Sequence, residues 1–330
     1  MKAIRVEKAG GPETLVLVDA PKPHPGPGEV LVHVHASGVS FADILCRTAS
    51  HPGMALPPLI PGCEGSGEVE ELGEGTTRFK VGDRVGVYSP LGGTYAEWVA
   101  VPENYALGLP ASMSFGHGAA FTHVFLTAYH ALHTLGHARE GEWAVITAAA
   151  GGVGTALVQL ALVRRLRVIG GVGSQEKLKV LRTFGVEYSV DYRSESLLAF
   201  VKKVTGGRGA DLVLESVGGP VFKEALSGLT SLGRLVLIGS ASGESAPVHP
   251  FDLLRTSSTF ATLNLSVFFA DRHELIDPSW NELMDLYEAG KIRPVITQRF
   301  PLERAPEAHR LMESRETVGK LLLLPPGEEP

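Results

Sequence analysis

A chain of 330 residues that is 44% hydrophobic and 20% charged has apolar material for two packed domains, which excludes a disordered or fibrous class. Its net charge of −6 gives no electrostatic basis for binding nucleic acid or an anionic membrane, since either needs a clustered excess of Lys and Arg. No apolar run reaches membrane-spanning length, and residues 1–6 move straight into strand-like alternation without an apolar leader core, so the expected location is cytoplasmic. The only cysteines, Cys46 and Cys63, are expected as free thiols.

From residue 1 to about residue 121 short alternating strands are broken by turn residues, at 15–18, 29–35, 67–72 and 95–101, which predicts a β-rich domain. The proline-rich run 21–28 reads as a stiff loop, and Gly82-Asp83 before residues 84–87 as a hairpin-type turn. From 122 to 263 strands alternate with helices: strand 143–147, a small-residue turn at 148–154, helix 155–162, strand 167–172, helix 175–184, then strands 188–191, 211–215 and 234–238. Such alternation predicts a parallel sheet wrapped by helices, hence an α/β fold. A helix near 280–289, a strand at 296–300, a helix at 306–314 and a strand at 320–324 follow. The expected domains are 1–121, with 264–330 returning to it, and 122–263.

The turn organises the second half. Ala149-x-Gly151-x-x-Gly154 has the spacing of G-x-G-x-x-G with alanine in the first place. Small residues there let the backbone approach a pyrophosphate, whose charge is met by free N–H groups and the positive end of the helix dipole. Any tight strand-to-helix turn favours small residues too, but here a second strand and helix complete a β-α-β unit and point to a dinucleotide.

Further stretches carry a wider resemblance: Gly38-Val39-Ser40-Phe41-Ala42-Asp43, Pro61-Gly62-Cys63-Glu64-Gly65, Val81-Gly82-Asp83-Arg84-Val85, Phe125-Leu126-Thr127-Ala128-Tyr129, Gly290-Lys291-Ile292-Arg293-Pro294 and the ending 314–322. Over its whole length the chain resembles the medium-chain dehydrogenase/reductase superfamily, specifically its zinc-independent quinone oxidoreductase branch. The resemblance implies a GroES-like catalytic domain and a Rossmann dinucleotide-binding domain with the cofactor between them, its nicotinamide reaching Ser40, Phe41 and Thr127. It further implies cofactor contacts from Ala150, Gly151, Gly152, Val153, Val217, Gly239, Ser240, Leu263, Asn264, Leu265 and Arg315. Where zinc members of the superfamily place their metal ligands, this chain has Ser40, Cys63 and His123, with Glu64 and Asp43 as nearby carboxylates. A neutral serine is a poor zinc ligand and two cysteines cannot form a four-cysteine site, so no metal is expected.

Cofactor choice is set at the end of the second strand, where a carboxylate would bind ribose hydroxyls and repel a phosphate. Gly173 and Ser174 stand there, Lys177 follows one helical turn on, and Tyr192 closes the third strand, a cation and two hydroxyls suited to a 2′-phosphate. Glu176 reads as a complement to the helix dipole, and NADPH is the expected cofactor. Without a metal to polarise a carbonyl, the fitting acceptors are electron-poor: quinones first, enones or enoyl thioesters as the alternative. Ser40 and Thr127 are candidate donors to the developing oxyanion, and His51 or water the candidate proton source. A nucleotide-binding sensor or RNA-binding protein without turnover is the third reading, disfavoured by the missing basic patch. The resemblance also implies a homodimer joined at edge strands, for which residues 258–263 are the candidate.

Overall fold

The structure, a computed structural model, describes residues 1–50, 56–244 and 247–328. The chain divides into two compact units, Met1–Val124 with Ser266–Glu288 and Arg293–Pro330, and Phe125–Leu265 with Ala289–Ile292.

In the first unit β1 (Lys2–Arg5) and β2 (Val16–Asp19) form an antiparallel pair. They precede β3 (Glu29–Val39), α1 (Phe41–Thr48), β4 (Glu64–Leu72), β5 (Arg84–Tyr88), β6 (Trp98–Pro102) and β7 (Ala106–Gly108). Valines 30, 32 and 34 of β3 pack with Val69, Val85, Val87 and Val99, the β-branched residues that suit a pleated surface. One local expectation is corrected. The strand expected from residue 95 begins at Trp98, because the Tyr95 backbone bonds with Ile4 and Pro61. Between β3 and β4 the chain forms α1: Ser40 at its N-cap is extended, the Asp43 carboxylate accepts the Ser40 N–H at 2.8 Å, and Ala49 ends the helix at φ 52°. Helices α2 (Phe115–Ala119) and α3 (Thr122–Tyr129) follow, the latter running into a π-helical turn, His130–Leu135.

The second unit takes up the strand–helix alternation with β8 (Trp143–Ile146), α4 (Gly152–Val163), β9 (Arg167–Val172), α5 (Gln175–Thr183), β10 (Tyr188–Asp191) and α6 (Leu197–Val204). It continues with β11 (Ala210–Glu215), α7 (Gly219–Ser227), β12 (Leu229–Leu237), α8 (Pro250–Leu254) and β13 (Thr259–Thr262). All six strands are parallel in the order β10-β9-β8-β11-β12-β13, so the winding reverses between β8 and β11. Trp143, Val145, Ile169, Val213, Phe222 and Leu235 are among its buried core.

The last part of the chain holds α9 (Leu265–Asp271), α10 (Ile276–Glu288), β14 (Ile296–Pro301), α11 (Ala305–Glu313) and β15 (Lys320–Leu324). β15 pairs antiparallel with β3 and parallel with β14, which builds these strands into the first unit's sheet. A second core forms there from Ile4, Val6, Tyr95, Phe300, Ala308, Leu321 and Leu323. Among the described residues no helix is long and apolar enough to cross a membrane.

Candidate functional site

Four segments of the first unit converge on one buried polar cluster. β3 ends beside Ser40, β4 opens with Glu64 next to Cys63, α3 presents His123, and β15 opens with Lys320. The Ser40 hydroxyl donates to Glu64 Oε1 at 2.9 Å and accepts from Lys320 Nζ at 2.9 Å. Lys320 also donates to the Val39 carbonyl at 2.7 Å and ion-pairs with Glu64. Nδ1 of His123 lies 3.4 Å from Ser40 Oγ and 3.8 Å from Cys63 Sγ, and its backbone N–H donates to Glu64 Oε2 at 3.1 Å. Burial by itself would raise the Glu64 carboxyl; the Lys320 ammonium and His123 outweigh it and hold the carboxyl at about 2. Burial, then the Asp43 and Glu64 charges, push the Cys63 thiol well up, so it stays protonated.

The donor set is ill suited to zinc. A serine whose proton goes to Glu64 is a weak ligand, and among the described residues no group of three or more His, Cys, Asp or Glu side chains is arranged to hold a metal. Against His123 packs an aromatic cluster in which Tyr88 and Phe269 are buried: Tyr88 lies 5.5 Å from the imidazole and 13° from parallel, and Phe269 is 4.9 Å from Tyr88 and from Tyr105.

In the second unit the turn after β8 is shaped by contact as well as by sequence. Gly151 N–H donates to Ala148 O at 2.9 Å, and a Cβ on Gly154 would lie 2.2 Å from that same oxygen. α4 starts at Gly152, so helix geometry leaves the N–H groups of Gly152, Val153 and Gly154 for an outside acceptor. At the end of β9, a Cβ on Gly173 would meet Tyr192 Oη and Arg193 Nε at 3.4 Å each. The Thr127 hydroxyl is buried and has no hydrogen-bond partner among the described residues.

Residues 26–111 match the alcohol dehydrogenase GroES-like domain family and residues 184–323 the zinc-binding dehydrogenase family. A quinone oxidoreductase of Pseudomonas aeruginosa is 36% identical over 98% of this chain and 99% of its own. The chain belongs to the medium-chain dehydrogenase/reductase superfamily, in its quinone oxidoreductase branch. A 2-haloacrylate reductase of a Burkholderia species is 32% identical over 97% of this chain and 98% of its own. The Escherichia coli quinone oxidoreductase complexed with NADPH matches with a TM-score of 0.92 at 32% identity, covering 98% of this chain and 100% of that one.

Within this dehydrogenase/reductase framework the structure brings Ser40, Cys63, Glu64 and His123 together. It sets the second-unit candidates past the carboxyl ends of successive strands. Ala150 to Val153 follow β8, Gly173 and Ser174 follow β9, Tyr192 follows β10, Val217 follows β11, Gly239 and Ser240 follow β12, and Leu263, Asn264 and Leu265 follow β13. Lys177 is half-buried on α5. Phe41 opens α1 and Arg315, at φ 60°, follows α11, both in the first unit. His51 lies outside the described residues. The expectation that Ser40 donates to an oxyanion needs correcting: its proton goes to Glu64, and what it has left is acceptor capacity toward His123.

Sequence reasoning missed Lys320, Arg193 and Glu215. Lys320 had a signal, a lone lysine opening an apolar strand whose five residues are all buried. Glu215 accepts from Thr147 Oγ1 at 3.1 Å and from the Val217 and Gly218 N–H groups at 2.8 and 3.1 Å, which fixes the loop after β11; burial pushes its carboxyl up.

Proposed function

We propose that the protein is an NADPH-dependent quinone oxidoreductase that works without zinc. The observation that carries the reading is the end of β9, where Gly173 has the Tyr192 hydroxyl and the Arg193 guanidinium against it. With Ser174 and Lys177 at the start of α5, this set fits a 2′-phosphate, and the first N–H groups of α4 fit a pyrophosphate. The buried, unpartnered Thr127 hydroxyl fits a carboxamide. Ala150, Val217, Gly239, Ser240, Leu263, Asn264, Leu265, Phe41 and Arg315 are the further proposed contacts.

NADPH, when bound, supplies the hydride. Ser40, Glu64 and Lys320 form a rigid base that holds His123 in place, and the packed rings of Tyr88 and Phe269 back that imidazole from the protein side. Thr127 and backbone N–H groups stabilise the oxyanion, and water supplies the proton. The likeness to a 2-haloacrylate reductase favours a second reading, reduction of an alkene conjugated to a carboxyl or carbonyl group. We place the first unit as the catalytic domain and the second as the NADPH-binding domain, in a cytoplasmic homodimer joined at β13.

The test is the rate of NADPH oxidation with 9,10-phenanthrenequinone, 1,4-benzoquinone, methyl vinyl ketone, 2-chloroacrylate and crotonyl-CoA. Quinones are expected to give the highest kcat/KM. A preference for 2-chloroacrylate would move the assignment to the second reading, and no oxidation with any acceptor would remove both.

A further inference from the structure

Behind Ser40 and Cys63 runs a buried polar chain that takes no part in the chemistry above. Asp43 on α1 accepts three hydrogen bonds: from Ser40 N–H at 2.8 Å, from Cys63 N–H at 2.9 Å and from the Tyr95 hydroxyl at 3.0 Å. The Tyr95 oxygen lies 3.1 Å from Nε2 of His309 on α11, and Nδ1 of that imidazole lies 3.2 Å from Nη1 of Arg47 on α1. Arg47 also donates to the Gly10 carbonyl at 3.1 Å and ion-pairs with Glu313 at the end of α11. Asp43, Arg47, Tyr95 and His309 are each at most 1% exposed.

The direction of every bond is fixed. A guanidinium only donates, so Nδ1 of His309 accepts and the single proton of the neutral ring sits on Nε2. Burial, then the Arg47 charge, hold His309 down at about 3, which keeps the ring neutral at any ordinary pH. Nε2–H therefore donates to the Tyr95 oxygen, and the Tyr95 proton goes to Asp43 Oδ2. Asp43 Oδ2 takes the Tyr95 proton beside the Ser40 N–H, so the chain runs one way from Arg47 to the Asp43 carboxyl.

We propose that Arg47, His309 and Tyr95 are positioning residues: a one-way hydrogen-bond chain from α11 that aims the Asp43 carboxylate at the two loops carrying Ser40 and Cys63. Its catalytic consequence rests on the reductase reading; its structural consequence does not. The chain joins residues 262 positions apart, so the geometry around Ser40 depends on the docking of a helix near the end of the sequence.

The test uses the full-length protein with three substitutions. His309→Met removes both polar atoms at similar volume, and Tyr95→Phe removes only the hydroxyl. His309→Gln restores the pattern, because its amide oxygen accepts from Arg47 while its NH2 donates to Tyr95. One readout is hydrogen exchange of peptides spanning 38–48 and 59–66; the other is quinone reduction, with kcat normalised to NADPH-binding sites. His309→Met and Tyr95→Phe each remove two bonds of the chain, and one such bond is worth about tenfold, so both are expected to exchange at least about tenfold faster and to lose at least about tenfold in kcat, with KM for NADPH unchanged. His309→Gln is expected to stay close to wild type in both. Unchanged exchange in His309→Met overturns the proposal, as does His309→Gln failing as badly as His309→Met. Faster exchange with unchanged kcat reduces the chain to a structural element and overturns its positioning role. A wild type that reduces no quinone refutes the reductase reading, while exchange still decides the chain.

Discussion

Lys320 and Glu64 show how much a single pair of residues can decide. Removing one partner of a buried ion pair leaves a charge unpaired in the interior, which costs about 3–5 kcal/mol, so Lys320→Met is expected to lower stability by that order in urea unfolding. The pair also sets an acid limit. The Glu64 carboxyl is held at about 2 in the fold against an ordinary 4.5. A depressed carboxylate stabilises fully above its unfolded value and loses that contribution as pH falls through its folded one, so circular dichroism should show stability declining between pH 4.5 and 2, less steeply in Lys320→Met. At the other site, Arg193→Ala and Lys177→Ala are each expected to weaken NADPH by about 1–3 kcal/mol and leave NADH unchanged, read by fluorescence titration. Lys177 could be proposed from its place one turn past the second strand. Arg193 was not, because only the folded backbone turns its side chain toward Gly173.

At the scale of elements, the strands of the second unit were readable because a parallel sheet buried on both faces leaves short apolar runs between amphipathic helices: β9 and β10 fall where the pattern put them. α1 was not readable. Its 8 residues are too few for periodicity to stand out, and its existence depends on the N-cap at Ser40 and on Arg47 reaching α11. The same dependence explains Tyr95, which alternates like a strand residue but bonds to other segments. The glycine turn is the sharpest case of an element fixed by one contact. A Cβ at position 154 would lie 2.2 Å from the Ala148 carbonyl oxygen and 2.7 Å from the Ala149 backbone, atoms that cannot swing aside. Gly154→Ala is therefore expected to destabilise by about 1–3 kcal/mol, the cost of overpacking. It should also abolish measurable NADPH binding, because relief requires α4 to move away from β8. Denaturation and titration of one preparation would check both, and an alanine variant that binds normally would show that the turn tolerates what the geometry forbids.

At the scale of the whole molecule, one strand edge asks for a partner. Among the described residues β13 is the last strand of the six and pairs only with β12, and its Thr259 and Thr262 are exposed. Phe260 is partly buried, packed edge-on against Phe222 at 6.0 Å. The chain just before β13 carries exposed apolar side chains: Phe251 and Leu254, three residues apart on α8, are 68% and 66% exposed, and Leu232 of β12, 72% exposed, donates its N–H to Thr256 O at 2.8 Å. An open edge with such neighbours invites association, and the pairing that closes rather than propagates it is a twofold one in which two β13 strands meet antiparallel. Light scattering is therefore expected to give twice the chain mass of 35.1 kDa. Phe260→Lys should shift the protein toward monomer by placing a charge at the joint. Because that substitution also touches the core beside Phe222, the double variant Phe251→Glu, Leu254→Glu separates the effects: it alters only exposed side chains and should weaken the dimer while the thermal midpoint extrapolated to low concentration stays put. A wild type that remains monomeric at micromolar concentration would remove the dimer and leave the assignment of the NADPH and quinone sites to stand on its own tests.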